Sequence, residues 1–135
     1  MKYSGIGIIS ALAILSLMYP AVSQVQSSTK IVVYFFHGQF RCYSCTRMEE
    51  LLRKAVEGGF PNQLAEGKIK LQTVNIDLKE NIHFLEKYPI SNRVVVSETL
   101  NGREIRWKEL KHTWDYLGDD AAFAKYIMDE IKKYQ

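Results

Sequence analysis

Cysteine is scarce in this sequence, and its scarcity narrows the chemistry that the chain can perform. Cys42 and Cys45 are the only two cysteines among 135 residues. A structural zinc site needs four ligands, and the three histidines do not stand at the paired spacing that would complete one. No cysteine lies near the end of the apolar N-terminal run, which excludes a lipoprotein anchor.

Clusters of positive charge and internal repeats are also missing. The formal net charge is +3, it falls by one without Lys2, and lysine and arginine do not gather on one stretch. So small a charge gives no electrostatic grip on nucleic acid, and we expect no nucleic-acid partner. The roughly 110 residues that follow the N-terminal segment are enough for one compact domain and no more.

Residues 1–23 have the layout of a secretory signal peptide. A short, weakly basic start precedes an almost wholly apolar run over residues 6–18, and small residues are spaced for cleavage before Gln24. The run is shorter than the roughly 20 residues that a bilayer span needs. We therefore predict an exported protein, periplasmic or otherwise extracytoplasmic, with residues 24–29 as a polar linker. An uncleaved N-terminal anchor that tethers the domain to a membrane is the alternative.

The two cysteines form a CxxC motif between a predicted strand and a predicted helix. The run Lys30–Phe36 is β-branched and aromatic, which is typical of a strand buried on both faces. Apolar residues recur at helical spacing from Cys45 onward. A thiolate at a helix N-terminus is stabilised by unpaired backbone N–H groups and by the helix dipole. The pattern therefore indicates a redox site, with Cys42 as the attacking thiolate and Cys45 as the resolving thiol.

Arg41 is the third predicted site residue. Its positive charge stands next to Cys42 in the sequence, and a nearby cation favours a thiolate over a thiol. His37 lies in the same loop and is either a base or ligand or, as is commoner, a hydrogen-bonding structural residue. His83 and His112 are interpreted as surface or packing residues.

Two other uses of the cysteine pair remain open. A structural disulfide is one, although a loop of four residues removes little chain entropy. The other is a binding module in which both thiolates hold a soft species such as copper(I) or a trivalent arsenical, without turnover. Reversible two-electron oxidation separates a redox site from a metal-holding pair.

The order of predicted elements indicates the fold class. A parallel strand–helix–strand unit, a second helix, a hairpin and a closing helix follow one another in the order βαβαββα. That order predicts an α/β protein with a thioredoxin-like fold, in which a central mixed four-stranded sheet is flanked by helices, over residues 30–135. Reaction sites in such sheets lie at the carboxyl ends of the strands. The predicted strands are residues 30–36, 69–76, 93–99 and 103–107.

Three local signals refine this arrangement. The segment Asp77–Glu80 has the form of a capping box that opens a helix, which Pro89 ends. Asn101-Gly102 between two β-rich segments predicts a tight hairpin. The large aromatic side chains near the C-terminus are predicted to be core residues rather than a cofactor site. They are Trp107, Trp114 and Tyr116.

Short segments spread over nearly the whole predicted domain match the pattern of a known family. They are Tyr34-Phe35-Phe36-His37-Gly38, Phe40-Arg41-Cys42 with Cys45, Glu49-Glu50, Asn75-Ile76-Asp77, Asn81-Ile82-His83-Phe84, Val94-Val95-Val96, Arg106-Trp107 with Leu110, and Trp114. On these residues the chain from about Ile31 to the C-terminus resembles a thioredoxin-like family, the nitrophenyl compound nitroreductase subunits. The resemblance implies a subunit that passes electrons through its dithiol to or from a protein partner. Reduction of a nitro group generally needs a flavin, and the sequence has no phosphate-cradling Gly-rich turn, so we expect no cofactor in this chain.

Two positions depart from the pattern of thioredoxins, which carry a buried acid in the first strand and a cis-proline opposite the CxxC. Tyr34 stands where the acid would fall, and the approach to the third strand, residues 91–94, contains no proline. Because cis peptide bonds at other residues are rare and unfavourable by about 3 kcal/mol, we expect trans peptide bonds near Val94.

Overall fold

The computed structural model describes residues 28–135, and the predicted leader and most of the predicted linker lie outside the described residues. Within this range no helix combines the length and the apolar character needed to cross a bilayer. The elements, in chain order, are β1 (Thr29–His37), α1 (Tyr43–Gly59), α2 (Pro61–Ala65), β2 (Ile69–Asn75), a 3₁₀ turn (Lys79–Asn81), α3 (Ile82–Lys87), β3 (Val94–Leu100), β4 (Arg103–Glu109) and α4 (Asp120–Lys132). The predicted order is confirmed, and α2, which was not predicted, is added to it.

The four strands form one mixed sheet in the order β2-β1-β3-β4. β1 pairs in parallel with β2, from Ile31 opposite Ile69 to His37 opposite Asn75. On its other side β1 pairs antiparallel with β3, and β3 pairs antiparallel with β4. β1 is therefore a central strand, which explains why its sequence is an unbroken run of β-branched and aromatic residues.

The main core lies between the sheet and helices α1 and α4. α1 and α4 pack against each other and against the side chains of β1 and β3 that face them. The helical spacing of the apolar residues in each helix brings them to one face, as predicted. The fully buried members are Val33, Met48, Leu52, Val56, Val94, Val96, Leu110, Phe123, Ile127 and Ile131.

A smaller, aromatic cluster covers the opposite face of the sheet. Phe36, Val74, Tyr88 and Val95 are buried there, beneath the short helix α3. Tyr88 meets the ring of Trp107 edge-on, with 5.1 Å between ring centroids. This layer is thin because α3 has only six residues, and it leaves apolar side chains of α3 about half exposed.

The prediction that the C-terminal aromatics are core residues is wrong. Trp107 is 39 % exposed, and Trp114 and Tyr116 are each 37 % exposed. Trp107 lies on the edge strand β4, where only one neighbouring strand shields it. Trp114 and Tyr116 lie in the turns that precede α4, outside both layers of the core.

The predicted capping box is also wrong. No side chain caps the 3₁₀ turn or α3. The carboxylate of Asp77 instead accepts the backbone N–H of Gln39 at 2.6 Å, so a tertiary contact takes the group that a helix start would have used. The hairpin prediction is confirmed, since Asn101 and Gly102 have φ values of 52° and 80°, and a two-residue turn of this kind needs positive φ at both positions.

Replacing Leu52 by alanine should destabilise the protein far more than the same change at Leu85. Leu52 is fully buried between α1 and the sheet, whereas Leu85 on α3 is 48 % exposed. We expect L52A to lower the free energy of unfolding by roughly 2–5 kcal/mol and L85A by less than about 1 kcal/mol. Urea unfolding of the two variants beside the parent measures the difference. Equal losses would contradict the assignment of the main core to the α1 face.

Candidate active site

Cys42 and Cys45 lie at the start of α1, after the loop that connects it to β1. Cys42 is the N-cap residue of α1 and has extended backbone geometry, and its sulfur accepts the backbone N–H of Cys45 at 3.3 Å. Both cysteines are free in this structure, and Cys42 is exposed while Cys45 is buried. The helix begins at Tyr43, so Cys42 stands one residue outside the first turn, with its sulfur directed at an unpaired N–H of the helix start.

The surroundings of Cys42 favour its thiolate. A hydrogen bond from the Cys45 thiol is the largest of the causes that lower the pKa of Cys42, and the backbone N–H of Cys45 comes next. The positive charge of Arg93 lowers the pKa of Cys42 further. A thiolate is the reactive form of cysteine toward disulfides and alkylating agents. The exposed sulfur is thus also the one that its environment activates.

The loop of residues 38–41 is tied to the end of β2. Gln39 donates its backbone N–H to Asp77, and the Asn75 side chain donates to the side-chain oxygen of Gln39 at 3.2 Å. A Cβ at Gly38 would lie 3.0 Å from a carboxylate oxygen of Asp77, so a larger residue at this position would push that carboxylate away from its place in the loop. These contacts hold the entry to Cys42 at the carboxyl edge of the two parallel strands, where reaction sites of such sheets are found.

Arg41 is bound to Glu49 on the second turn of α1. The guanidinium forms an ion pair with one carboxylate oxygen of Glu49. The other oxygen accepts the hydroxyl of Thr73 at 3.1 Å and is also within reach of Arg53. Arg41 is not among the groups that shift the pKa of Cys42. Its effect on that thiol stays a prediction.

Arg93 is the site residue that the sequence did not reveal. Its φ is 62°, and the Val94 N–H donates to the Asn92 carbonyl at 2.9 Å, so Arg93 is the central residue of a γ-turn of the rarer, strained form. The peptide bonds of the described residues are all trans, which confirms the prediction for Val94. Only the absence of proline at residues 91–94 hinted at an unusual turn, because no propensity rule places arginine at positive φ.

Within residues 28–135, none of the three histidines forms a hydrogen bond with the sulfur of Cys42 or Cys45. The His37 Nδ1 is 2.8 Å from the carbonyl oxygen of Gly38, which is a local structural contact. His83 and His112 are exposed, as predicted, and His112 pairs with Asp115. Among residues 28–135 no group of three His, Cys, Asp or Glu side chains is arranged to hold a metal ion.

Tyr34, which stands where thioredoxins carry an acid, lies on the other side of the sheet. Its ring packs against Phe36 and Phe84 in the aromatic cluster, at centroid distances of 5.7 and 5.3 Å. Burial raises the pKa of Tyr34, and the nearby negative charge of Glu104 adds to the rise. Tyr34 therefore does not face Cys45, whose buried side chain belongs to α1 on the other side of the sheet.

No protein-family model and no curated protein matches this chain at a significant level. Solved structures do resemble it. A thioredoxin of Plasmodium falciparum is 19 % identical, with 82 % of this chain and 85 % of that chain covered and a TM-score of 0.42. Thioredoxin-2 of a malaria parasite is 17 % identical over 78 % and 84 % of the two chains, with a TM-score of 0.45. The protein Trxlp of Edwardsiella tarda is 19 % identical over 73 % and 82 %, with a TM-score of 0.41.

The fold is thioredoxin-like. The mixed four-stranded sheet, the helices on both of its faces and the CxxC at the start of the first helix agree with the prediction. A groove of about 380 Å³ borders the motif, and a larger cavity of about 500 Å³ lies at the opposite end of β1. The smaller groove is the one relevant to the cysteines, because Tyr43 and Ser44 of the motif line it.

Alkylation of Cys42 should show a midpoint below that of an ordinary thiol, and Cys45→Ala should raise it. The variant loses the thiol hydrogen bond, which is the largest cause of the lowered pKa, and keeps the backbone N–H. Rates with iodoacetamide between pH 5 and 10 measure the midpoint, which is about 8.5 for a free cysteine. Ser44→Ala is the matched control and should leave the midpoint unchanged. An unaltered midpoint in C45A would contradict the assignment.

The lowered pKa of Cys42 also makes the free energy of unfolding depend on pH. Because the pKa of Cys42 is lower in the folded protein than in the unfolded chain, its ionisation stabilises the fold at pH values above the unfolded-state pKa. That contribution disappears as the pH falls through the folded-state pKa.

Proposed function

We propose that this protein is a thiol–disulfide oxidoreductase of an extracytoplasmic compartment, with Cys42 as nucleophile and Cys45 as resolving thiol. One observation carries the proposal: an exposed sulfur at a helix N-terminus accepts an N–H bond from the residue whose own buried thiol completes the CxxC. This pairing gives one reactive and one protected sulfur within reach of each other, which is what reversible disulfide exchange requires.

Thiol–disulfide exchange with a partner proceeds in two successive steps. The Cys42 thiolate attacks one sulfur of a partner disulfide, so that the partner S–S bond breaks, a mixed disulfide forms and a partner thiolate leaves. Cys45 then loses its proton to that thiolate or to water and attacks the Cys42 sulfur, which releases the second partner thiolate. Two electrons have moved from this protein to the partner, and in reverse the protein oxidises a partner dithiol.

Replacement of each cysteine by serine separates the two roles. We expect Cys45→Ser to retain a fast-reacting thiol that accumulates mixed disulfides, and Cys42→Ser to leave a slow one, because Cys42 is exposed with a lowered pKa whereas Cys45 is buried. The parent should oxidise and reduce reversibly with a two-electron midpoint potential, measured against glutathione or dithiothreitol buffers. Ser44→Ala is the control.

Other outcomes favour the alternative uses of the pair. Equal, slow reaction of both serine variants would favour a structural disulfide. Stoichiometric, tight binding of copper(I) or a trivalent arsenical without a reversible potential would favour a soft-metal binding module.

The compartment follows from the leader that the sequence predicts. Ala21 and Ser23 occupy the small-residue positions before Gln24, so we expect export and cleavage there. Intact mass of the protein recovered after expression with the full leader tests this, and Ala21→Phe should block cleavage. A parent that retains residues 1–23 would instead be tethered to the membrane.

The resemblance to nitrophenyl compound nitroreductase subunits suggests that the protein acts as the electron-passing subunit of a larger enzyme. In that arrangement a partner enzyme supplies any flavin, and this chain passes electrons through its dithiol. We expect the reduced protein alone to leave a nitrophenyl compound unchanged, because two thiols carry no group that delivers electrons to a nitro group.

A further inference from the structure

The side chain of Arg93 completes a backbone pairing at the end of β1. Phe36 donates its N–H to the Arg93 carbonyl at 2.8 Å, as in an antiparallel ladder. The Phe36 carbonyl, however, accepts the guanidinium Nη1 of Arg93 at 3.3 Å. The guanidinium is thus anchored at the carboxyl end of the central strand, the edge that also carries Cys42.

The strained turn at Arg93 is held by the side chains of three residues that follow it in the chain. The buried carboxylate of Glu109 accepts the Asn92 N–H at 2.7 Å, and the buried hydroxyl of Thr113 donates to the Asn92 carbonyl at 2.8 Å. Trp114 adds a longer bond from its indole N–H to the Ser91 carbonyl, at 3.4 Å. Backbone strain persists only where surrounding contacts over-determine it, and it gathers at functional positions.

Arg93 differs in its partners from the other arginines near the motif. Arg41 is paired with Glu49, and Arg47 is paired with Asp120. Among residues 28–135, no carboxylate lies within ion-pair distance of Arg93, and the only hydrogen bond of its guanidinium is the one to Phe36. A guanidinium has five N–H donors in a planar fork that suits a carboxylate. Most of that donor capacity remains for a ligand.

We infer that Arg93 is a substrate-recognition residue that binds a carboxylate close to the sulfur that Cys42 attacks. The inference rests on the proposed function and narrows its substrate to disulfides with a neighbouring negative charge. Glu109 and Thr113 are then positioning residues, because they act on the substrate only through the turn that carries Arg93.

Such a disulfide belongs either to a protein segment with an acidic side chain beside the cysteine or to a small molecule. Phe40 and Tyr43, on either side of Arg41 and Cys42, are 94 % and 85 % exposed and offer apolar contact to an extended segment. A small molecule that reaches Cys42 and Arg93 needs neither ring. We therefore expect the two sources to differ in how much faster a peptide disulfide reacts with Cys42 than a small disulfide does.

Small disulfides of different charge test the recognition of a carboxylate. The probes are dithiodipropionate (anionic), hydroxyethyl disulfide (neutral) and cystamine (cationic), reacted with the reduced full chain at a pH where Cys42 is ionised. We expect the anionic probe to react on the order of fivefold faster than the neutral one, the scale of one exposed ion pair. Arg93→Gln should bring the anionic-to-neutral ratio close to one.

Arg103→Gln is the matched control. It removes the same charge from the first residue of β4, which pairs with Leu100 at the end of β3 remote from Arg93. We expect R103Q to keep the parent ratio. A ratio that is the same in the parent and in R93Q would overturn the inference. Arg93→Lys keeps the charge without the fork, so an intermediate ratio is expected.

A pair of peptides distinguishes the sources. They carry the same disulfide, with Glu in one and Gln in the other beside the cysteine. A Glu-to-Gln rate ratio above the small-molecule ratio assigns the carboxylate to a protein segment, and an equal ratio assigns it to a small molecule. If the parent protein reacts no faster with the Glu peptide than with the Gln peptide, and no faster with dithiodipropionate than with hydroxyethyl disulfide, the proposal is overturned.

Alkylation keeps this test separate from the proposed function. Iodoacetate and iodoacetamide have nearly the same size, and only iodoacetate carries a carboxylate. We expect R93Q to lower their rate ratio at Cys42 by the factor seen with the disulfides, whether or not exchange turns over. If disulfides do not react while this ratio depends on Arg93, the proposed function fails and the carboxylate site stands.

Thr113→Val tests the positioning role. The variant keeps the buried shape and removes the hydrogen bond to Asn92. We expect it to reduce the anionic-to-neutral ratio, and Thr113→Ser, which restores the hydroxyl, to recover the ratio. A variant T113V that is less stable but keeps the parent ratio would contradict this role.

Discussion

The pairing of β1 with a strand on each side is the constraint on which the rest of the structure depends. β1 forms a parallel ladder with β2 and an antiparallel ladder with β3, so its side chains are covered on both faces of the sheet. Burial of apolar surface is the dominant stabilising term in such a domain. The same two ladders bring the end of β1, the loop after β2 and the approach to β3 to one edge. The CxxC motif and the turn at Arg93 lie at that edge because the ladders run in these directions.

The two faces of the sheet contribute unequally. α1 and α4 cover one face with a continuous core, whereas α3 covers the other with a short helix and an aromatic cluster. α1 is therefore held along its length by packing, and its first turn provides a fixed frame for Cys42 and Cys45. A rigid frame matters for thiol chemistry because the pKa of Cys42 depends on hydrogen bonds whose strength falls steeply with geometry.

The polar contacts of the site are arranged around backbone groups rather than around an acid–base pair. Asp77 holds the loop before Cys42 through the Gln39 N–H, and Glu109 holds the loop before β3 through the Asn92 N–H. Both are carboxylates that accept from backbone, a strong type of hydrogen bond. The loop before Cys42 and the loop before β3 are thus each fixed by a carboxylate of their own.

The sequence by itself determined the four strands, the long helices α1 and α4 and the CxxC motif, because strand and helix periodicity, an Asn-Gly turn and a CxxC are local patterns. It did not determine which side chains accompany the motif. Arg41 is adjacent to Cys42 in the chain, yet it is bound to Glu49, one and a half turns into the helix. Arg93, 51 positions after Cys42, is the cation whose charge lowers the pKa of Cys42. The capping box at Asp77 failed for the same reason, since a partner remote in sequence took the carboxylate. Only the tertiary structure decides such contacts, because the distance between two charges depends on how strands and helices pack. Local sequence patterns predict the order of these elements but not the distances between their side chains.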